Sequence, residues 1–206
     1  MEHTDFVVVG LGALGSGAAY ELTRRGHRVV GLEQFELGHD KGASHDSSRI
    51  LRHSYHTPNY VAMTKLAYED WAALEAAAGD TFVTVCGGLD IFPEGGIIPI
   101  DDYTAALDAE GIDYELLSAE QVSERFPQFS VPEGSVTLFQ ERGAIVPAAR
   151  GVAAMQRVAR GGGARLIDNA AVSAIEAVED GYVVTSAAGT FHCRSVVVAA
   201  DAWTNA

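Results

Sequence analysis

Three glycines and one acid near the N-terminus have the types and spacing of a nucleotide-binding site. Gly10, Gly12 and Gly15 directly follow the apolar run Phe6–Val9, and Glu33 comes 18 residues after Gly15. In such a site the first glycine permits a tight turn, the second lets backbone N–H groups approach a pyrophosphate, and the third lets a helix lie close to the strand. A carboxylate at about this distance accepts hydrogen bonds from a ribose hydroxyl. The pattern predicts dinucleotide binding, and the acid argues against a 2′-phosphate and therefore against NADP.

A polar stretch dense in Gly, Ser, His and Arg follows at residues 38–55. Because Arg49 and Arg52 are three residues apart, their spacing predicts that they share a helical face. Paired arginines suit an anionic ligand such as a phosphate or a carboxylate, and a solvated basic patch is the alternative. The stretch and the residue after it also contain four histidines, whose spacing matches no zinc pattern, so we predict no metal site. These histidines are His39, His45, His53 and His56.

The elements that would position these residues follow from the apolar pattern. Phe6–Val9, Val29–Leu32 and Ser195–Ala200 are predicted to be buried strands because they are continuous apolar runs rich in β-branched residues. The run 18–25 is predicted to be a helix between the first two strands. Its N-terminus would direct free N–H groups and the positive end of its dipole at the phosphates.

The rest of the chain predicts helices and short strands, ending in a small antiparallel meander. The predicted helices are 59–78, 101–110, a short one opened by a capping box at Ser118–Gln121, and 148–160. The predicted strands are 82–85, 88–92, 114–117 and 136–140, followed by the meander strands 171–177, 182–185 and 190–193.

Charge and composition exclude several classes of partner. The formal net charge is −14, which disfavours binding to nucleic acid or to anionic lipid. Apolar runs fall short of a membrane span, and the start of the chain lacks the basic region of a signal peptide. Cys86 and Cys193 form no CxxC pair and are expected to be reduced thiols. We therefore expect a cytoplasmic protein that binds a small molecule.

Four landmarks together resemble the N-terminal half of a known enzyme family. They are the glycine fingerprint with Glu33, the block Gly42–Tyr55, the meander, and the closing run Val196–Trp203. The chain is similar throughout to the FAD-dependent amine oxidases related to D-amino-acid oxidase, in particular to the branch of monomeric sarcosine oxidase and N-methyltryptophan oxidase. The glycine fingerprint is shared with many flavoproteins, whereas the Ser-His…Arg-Ile-Leu-Arg-His-x-Tyr block is much more specific to this branch.

The resemblance implies an α/β fold: a Rossmann-like FAD-binding domain with a parallel sheet and a small antiparallel meander, plus part of an α+β substrate domain. The implied boundaries are 1–80 and 147–206 for the FAD-binding domain and 81–146 for the partial substrate domain. The family's C-terminal half, with its covalent FAD cysteine and oxygen-activating lysine, is not in this sequence. A missing C-terminal half or a second chain is therefore an expected partner.

The resemblance also assigns roles to individual residues. His45, Arg49 and Arg52 would be catalytic: Arg49 would stabilise the reduced, anionic flavin, and Arg52 would form a salt bridge with the substrate carboxylate. Asp46 and Asp201 depart from the family pattern, which has glycine at the first position and often at the second. The residues implied to bind FAD are Gly10, Gly12, Ala13, Leu14, Gly15, Glu33, Gln34, Ser44, Arg49, Val172, Ala199, Ala200 and Trp203.

The function that follows is oxidation of the C–N bond of a secondary or N-methyl amino acid, producing an imine and H₂O₂. This chain would be the FAD-binding half of that oxidase. Two alternatives remain open: an NAD-dependent dehydrogenase domain, which the glycine fingerprint allows, and a non-catalytic FAD-binding remnant, which the short length allows.

Overall fold

The computed structural model describes residues 1–205 as five α-helices, twelve strands and one turn of 3₁₀ helix. The helices are α1 (Ala13–Arg24), α2 (Pro58–Ala78), α3 (Ile100–Ala109), α4 (Ala119–Arg125) and α5 (Ala148–Gly161), with the 3₁₀ turn at Asp201–Trp203. The strands are β1 (Glu2–Val9), β2 (Val29–Leu32), β3 (Arg49–Leu51), β4 (Thr84–Val85), β5 (Gly88–Phe92), β6 (Glu115–Ser118), β7 (Val136–Gln140), β8 (Ala144–Val146), β9 (Arg165–Ile167), β10 (Val172–Val178), β11 (Gly181–Ser186) and β12 (Gly189–Val198).

These elements form two compact units. The first contains residues 1–48, 74–80 and the chain from 147 onward, and the second contains residues 49–73 and 81–146. The sequence prediction placed residues 49–73 with the FAD-binding part instead. They fall in the second unit because β3 pairs with β8 and because Val61 of α2 packs against α3 and β7.

The first unit is built on a six-stranded sheet in the order β10-β11-β12-β1-β2-β9. Strands β12, β1, β2 and β9 run parallel, and β10 to β12 form the antiparallel meander. Val7 and Val8 of the central strand β1 are fully buried, as expected for a parallel strand covered on both faces. The predicted fold class, a parallel α/β sheet with a small meander, is confirmed.

Strand β12 differs from the prediction of two separate strands, 190–193 and 195–200. It is one continuous strand, whose first half pairs with β11 and whose length pairs with β1 from Phe191 to Val198. The polar residues Arg194 and Ser195 interrupt the apolar pattern without interrupting the strand. Arg194 reaches the carboxylate of Asp5 at 3.0 Å, so this polar position is satisfied by an ion pair at the sheet surface.

Two helices of the first unit pack side by side. Helices α1 and α5 are joined by the buried Gln156, whose amide donates to Leu11 O and to Ser16 Oγ at 3.0 Å each. Burying an amide is costly unless it is hydrogen-bonded, and both bonds link α5 to the start of α1. Helix α5 therefore supports the loop that precedes α1.

The second unit holds two three-stranded antiparallel sheets, β3-β8-β4 and β5-β7-β6. Leu51, Ala144 and Val146 of the first sheet pack against Tyr68 and Trp71 of α2. The capping box predicted at Ser118 and Gln121 is present at the start of α4. Strands β8 and β9 were not predicted, since three-residue strands carry too little periodicity to be recognised.

The position of Arg49 contradicts the expectation that it shares a helical face with Arg52. It lies in β3, opposite Val146, and Arg52 follows the end of that strand. In the stretch 49–51 only Leu51 is buried, and the stretch pairs with β8, so tertiary pairing decides its conformation. Within residues 1–205, none of the helices combines the length and the apolar character that crossing a bilayer requires.

Candidate dinucleotide-binding site

The loop between β1 and α1 can be formed only by glycine at two of its positions. Gly10 has φ +87°, and a Cβ there would lie 2.5 Å from Ala199 O. A Cβ on Gly15 would lie 1.8 Å from Gly10 O, so the helix could not approach the strand with any other residue there. Both requirements arise from the chain's own backbone, as the sequence predicted for the tight turn and for close helix–strand packing.

Gly12 has a different environment. It precedes α1 with φ −66°, and the one atom within 4 Å of a Cβ placed there is Ser44 Oγ, at 3.3 Å. No backbone atom therefore excludes a side chain at this position, although a Cβ would require a small shift of Ser44 Oγ, and the absence of one keeps the approach to the helix N-terminus open. An open approach of this kind is what a pyrophosphate requires.

The N-terminus of α1 offers an anion-binding environment. Helix α1 starts at Ala13, five residues earlier than predicted, and its first turn has no acidic residue. The N–H of Ala13 donates to Ser44 Oγ at 3.0 Å, which caps one of the unpaired donors of the first turn. The helix dipole and the other N–H groups favour a negatively charged ligand here.

Glu33 lies at the end of β2 with 5 % of its surface exposed. Its carboxylate accepts hydrogen bonds from the backbone N–H of Leu11 at 2.8 Å and of Phe35 at 3.2 Å. His39 Nε2 lies 3.3 Å from Oε1 of the same carboxylate. Because Leu11 belongs to the glycine loop, Glu33 fixes that loop to the end of β2.

A cavity of about 600 Å³ lies at the carboxyl ends of β1, β2 and β12. Its volume is in the range of small-molecule sites, and the position is where open parallel sheets bind their ligands. Eleven of the thirteen residues expected to bind FAD line it: Gly10, Gly12, Ala13, Leu14, Glu33, Gln34, Ser44, Val172, Ala199, Ala200 and Trp203. Of the other two, Gly15 packs against Gly10, and Arg49 lies in the second unit.

Several residues that the sequence reasoning did not assign also line the cavity, notably Phe35 and His39. Trp203, Phe35 and His39 form a row of edge-to-face rings, with centroids 5.7 Å and 4.9 Å apart. The only sequence signal for His39 was its membership of the histidine cluster, whose spacing we compared with zinc sites. Within residues 1–205, no three metal-ligating side chains converge.

The two departures from the family pattern differ in their surroundings. Asp46 uses its carboxylate to accept the N–H of Ser47 at 2.9 Å. Asp201 lines the cavity with φ +47°, in the left-handed region that favours glycine. The glycine expected at position 201 therefore has a backbone reason.

The three residues expected to be catalytic lie in different places. His45 lines a smaller cavity of about 130 Å³ in the first unit, next to Ser44 and Gln156. Arg49 and Arg52 lie in the second unit. Arg52 forms an ion pair with Asp90, whose other oxygen accepts from Ser54 Oγ.

Next to Arg52, His53 is buried and structural. Its Nδ1 lies 2.6 Å from Thr64 Oγ1, and its ring stacks on Tyr68 at 4.5 Å. Burial lowers the pKa of His53, and the nearby charges of Arg142 and Lys65 lower it further. This histidine therefore stays neutral near pH 7 and packs within the second unit.

A family model decides the classification. The model described as "DAO: FAD dependent oxidoreductase" matches residues 5–206. The chain belongs to this family. The expected resemblance to D-amino-acid oxidase relatives is therefore confirmed.

Named members of the FAD dependent oxidoreductase family are similar over nearly the whole chain. Monomeric sarcosine oxidase of Streptomyces avermitilis is 32 % identical over 97 % of the chain and 52 % of that protein. Peroxisomal sarcosine oxidase of Homo sapiens is 32 % identical over 98 % of the chain and 51 % of that protein. N-methyl-L-tryptophan oxidase of Yersinia pestis is 26 % identical over 97 % of the chain and 54 % of that protein. The chain thus spans about half the length of the curated relatives it matches.

Solved structures agree with the fold. NikD, an unusual amino acid oxidase essential for nikkomycin biosynthesis, superimposes in its open form with a TM-score of 0.85 at 27 % identity, covering 97 % of this chain and 51 % of NikD. L-proline dehydrogenase from P. horikoshii gives a TM-score of 0.85 at 20 % identity, covering 98 % of this chain and 54 % of the dehydrogenase. Because its identity is only 20 %, the comparison with L-proline dehydrogenase supports the fold alone.

Proposed function

We propose that this chain is the FAD-binding part of an amine oxidase. The whole enzyme would oxidise the C–N bond of a secondary or N-methyl amino acid and produce an imine and H₂O₂. The observation that carries the proposal is the cavity at the ends of β1, β2 and β12, which brings together the glycine loop, Glu33 and the segment 199–203. The sarcosine and N-methyltryptophan oxidases among its relatives support the substrate class.

The residues of the first unit would divide the binding of FAD among them. The N–H groups at the start of α1 would hold the pyrophosphate, because Gly12 leaves their approach open. Glu33 would accept a ribose hydroxyl, and Val172 would lie by the adenine. When bound, FAD supplies the two-electron oxidation of the amine and is reoxidised by O₂.

Arg49, His45 and Arg52 are proposed to act on the reacting part of the site. Arg49 would supply positive charge to the reduced flavin, and His45 would lie near the ring. Arg52 would bind the substrate carboxylate while sharing its guanidinium with Asp90, since arginine has five N–H donors and Asp90 bonds to one nitrogen. A substrate carboxylate would then meet a guanidinium that is already partly neutralised.

We further propose that the first unit is the FAD-binding domain and that the second is part of the substrate domain. The residues that activate oxygen and select the amine side chain would come from a segment outside this sequence. A cytoplasmic location remains a prediction, as does the expectation of no nucleic-acid or membrane partner.

Direct titration tests the proposal. The purified chain is titrated with FAD and, separately, with NAD, and binding is followed by flavin fluorescence and calorimetry. We expect FAD to bind at least a hundredfold more tightly than NAD. Binding of NAD without flavin would favour the dehydrogenase alternative. Binding of FAD without amine-dependent H₂O₂, even when the chain is joined to the C-terminal half of a relative, would favour the non-catalytic alternative.

A further inference from the structure

Asp90 is a carboxylate on a sheet face of the second unit that otherwise carries apolar side chains. It lies in β5 opposite Leu138 of β7, and residues paired across two strands project from the same face of a sheet. Leu138 is fully buried in a cluster with Val61 and Leu107. Phe92, two residues further along β5, packs against the same cluster. Because an acid here interrupts the apolar pattern, and such breaks are expected at functional positions, Asp90 is a candidate for a specific role.

Both oxygens of Asp90 contact neighbouring side chains. Oδ1 forms an ion pair with Nη1 of Arg52, and Oδ2 accepts a hydrogen bond from Ser54 Oγ. Ser54 is buried, whereas 32 % of the Arg52 side chain and 21 % of the Asp90 side chain are exposed. The ion pair is therefore held in place by a buried hydroxyl and remains accessible to a solute.

The guanidinium of Arg52 keeps one edge for a ligand. Asp90 contacts Nη1 alone, and Arg52 makes no further side-chain hydrogen bond to any other residue of 1–205. Its Nε–H and one N–H of Nη2 form the parallel pair of donors that suits a carboxylate. The ring of Tyr55 lies 5.3 Å from Arg52 Cζ, a cation–π contact on the face of the guanidinium. A ligand that takes the open edge therefore binds a guanidinium that is already paired with Asp90.

The charge of Asp90 changes what this edge selects. A lone guanidinium prefers an anionic group to a neutral one, because the attraction between opposite charges adds to the hydrogen bonds. The pair of Arg52 and Asp90 has no net charge, and a second carboxylate on the same guanidinium is repelled by the first. A neutral carbonyl oxygen accepts the same N–H donors without that repulsion.

We propose that Asp90 is a specificity-determining residue that reduces the preference of Arg52 for a free carboxylate. The site then accepts secondary or N-methyl amino acids and also their amides, whose carbonyl oxygen takes the same N–H donors. This inference rests on the proposed function, because it requires that Arg52 bind the head group of the substrate. It adds a residue that sets the charge of that group.

The test compares acetate with acetamide, which carry the two head groups without an amine that could itself contact Asp90. Each ligand is added at constant ionic strength to the chain titrated with FAD. Its protection of Arg52 against phenylglyoxal is then followed by peptide mass spectrometry. Asp90→Asn keeps an acceptor for Arg52 and a donor for Ser54 but loses the charge, whereas Asp90→Glu keeps the charge. Asp70→Asn is the matched control, since Asp70 is an exposed acid on α2 in the same unit.

In the unsubstituted chain we expect acetate and acetamide to protect Arg52 at concentrations that agree within about threefold. Asp90→Asn should lower the half-protecting concentration of acetate about tenfold and change that of acetamide by less than about threefold, because only the anion was repelled. Asp90→Glu and Asp70→Asn should leave the ratio of the two concentrations within about threefold of its original value.

Four results would overturn the inference while FAD binding, measured in the same samples, stays intact. An advantage of acetate over acetamide of more than about tenfold in the unsubstituted chain does so without any variant. The others are an equal change for acetate and acetamide in Asp90→Asn, a change of ratio in Asp70→Asn as large as in Asp90→Asn, and no protection by acetate in Asp90→Asn. If the unsubstituted chain binds no FAD, the proposed function itself fails, and the inference fails with it.

Discussion

Replacing Glu33 with glutamine tests how strongly the carboxylate fixes the glycine loop. The amide has one acceptor oxygen, whereas the carboxylate accepts the N–H of Leu11 on one oxygen and the N–H of Phe35 on the other. In either orientation the amide NH₂ faces one of these two N–H groups, and in one orientation that group is the N–H of Leu11. Two donors then face each other at a position where Leu11 is only 3 % exposed.

The magnitude follows from those contacts. An unsatisfied buried N–H costs about 1–3 kcal/mol, and the one remaining hydrogen bond loses its charge at a cost of roughly 0.5–1 kcal/mol. Glu33→Gln should therefore lower the free energy of unfolding by about 1.5–4 kcal/mol. In addition, the variant should bind ADP at least about tenfold more weakly, because a charged acceptor for the ribose is lost.

Urea denaturation followed by circular dichroism measures the change in stability. Glu176→Gln is the matched control, because Glu176 is an exposed carboxylate on β10 of the same sheet and should change stability by no more than about 0.5 kcal/mol. A loss below about 1 kcal/mol for Glu33→Gln, or equal losses in the two variants, would refute the reasoning that Glu33 fixes the loop.

Three further predictions concern backbone and charge. Asp201→Gly should raise stability by about 0.5 kcal/mol, because position 201 has φ +47°, and should tighten ADP binding in calorimetry, because a negative charge leaves the cavity wall. Gly15→Ala should lower the melting temperature far more than Gly17→Ala, since a Cβ meets Gly10 O at 1.8 Å in the first case and only Met155 Sδ at 3.8 Å in the second. Stability measured against pH should fall in two steps on acidification. The pKa of His53 is lowered by burial, so its contribution is lost as the pH falls below about 6.5. The pKa of Asp5 is lowered chiefly by hydrogen bonds from Arg28, so its contribution persists at neutral pH and is lost below about pH 4, and Asp5→Asn should remove that second step. Equal melting temperatures for the two glycine variants would contradict the argument about close helix–strand packing. A lower stability of Asp201→Gly would contradict the argument from φ. An unchanged stability profile of Asp5→Asn in acid would contradict the argument from the pKa of Asp5.

The sequence predicted the part of the site whose requirements are local. Gly15 is set by its close approach to Gly10 O, and Gly10 by its positive φ in the same turn, so their spacing alone was informative. Buried apolar runs likewise predicted β1 and β2, because parallel strands are covered on both faces.

The sequence did not predict contacts that depend on pairing between distant segments. Arg49 was expected on a helical face because its spacing from Arg52 fits a helix as well as a strand end, and only pairing with β8 decides between them. The ion pair of Arg52 with Asp90 joins residues 38 positions apart. No sequence signal indicated that His39 lines the cavity, because the placement of its ring depends on Lys41 and Phe35 in the folded loop.

The most direct test of FAD binding compares two alanine substitutions in the glycine loop and helix. Gly12→Ala is compatible with φ −66° and meets only Ser44 Oγ at 3.3 Å, a contact that a small shift of the Ser44 side chain relieves, so the chain should still fold. Its methyl group would stand where the pyrophosphate must approach the helix N-terminus. The measurement is the FAD dissociation constant by flavin fluorescence, with Gly17→Ala as the control. We predict that Gly12→Ala binds FAD at least about tenfold more weakly with at most a small decrease in melting temperature, whereas Gly17→Ala binds like the unsubstituted chain. Equal FAD affinity in all three proteins would contradict the claim that this loop holds the cofactor.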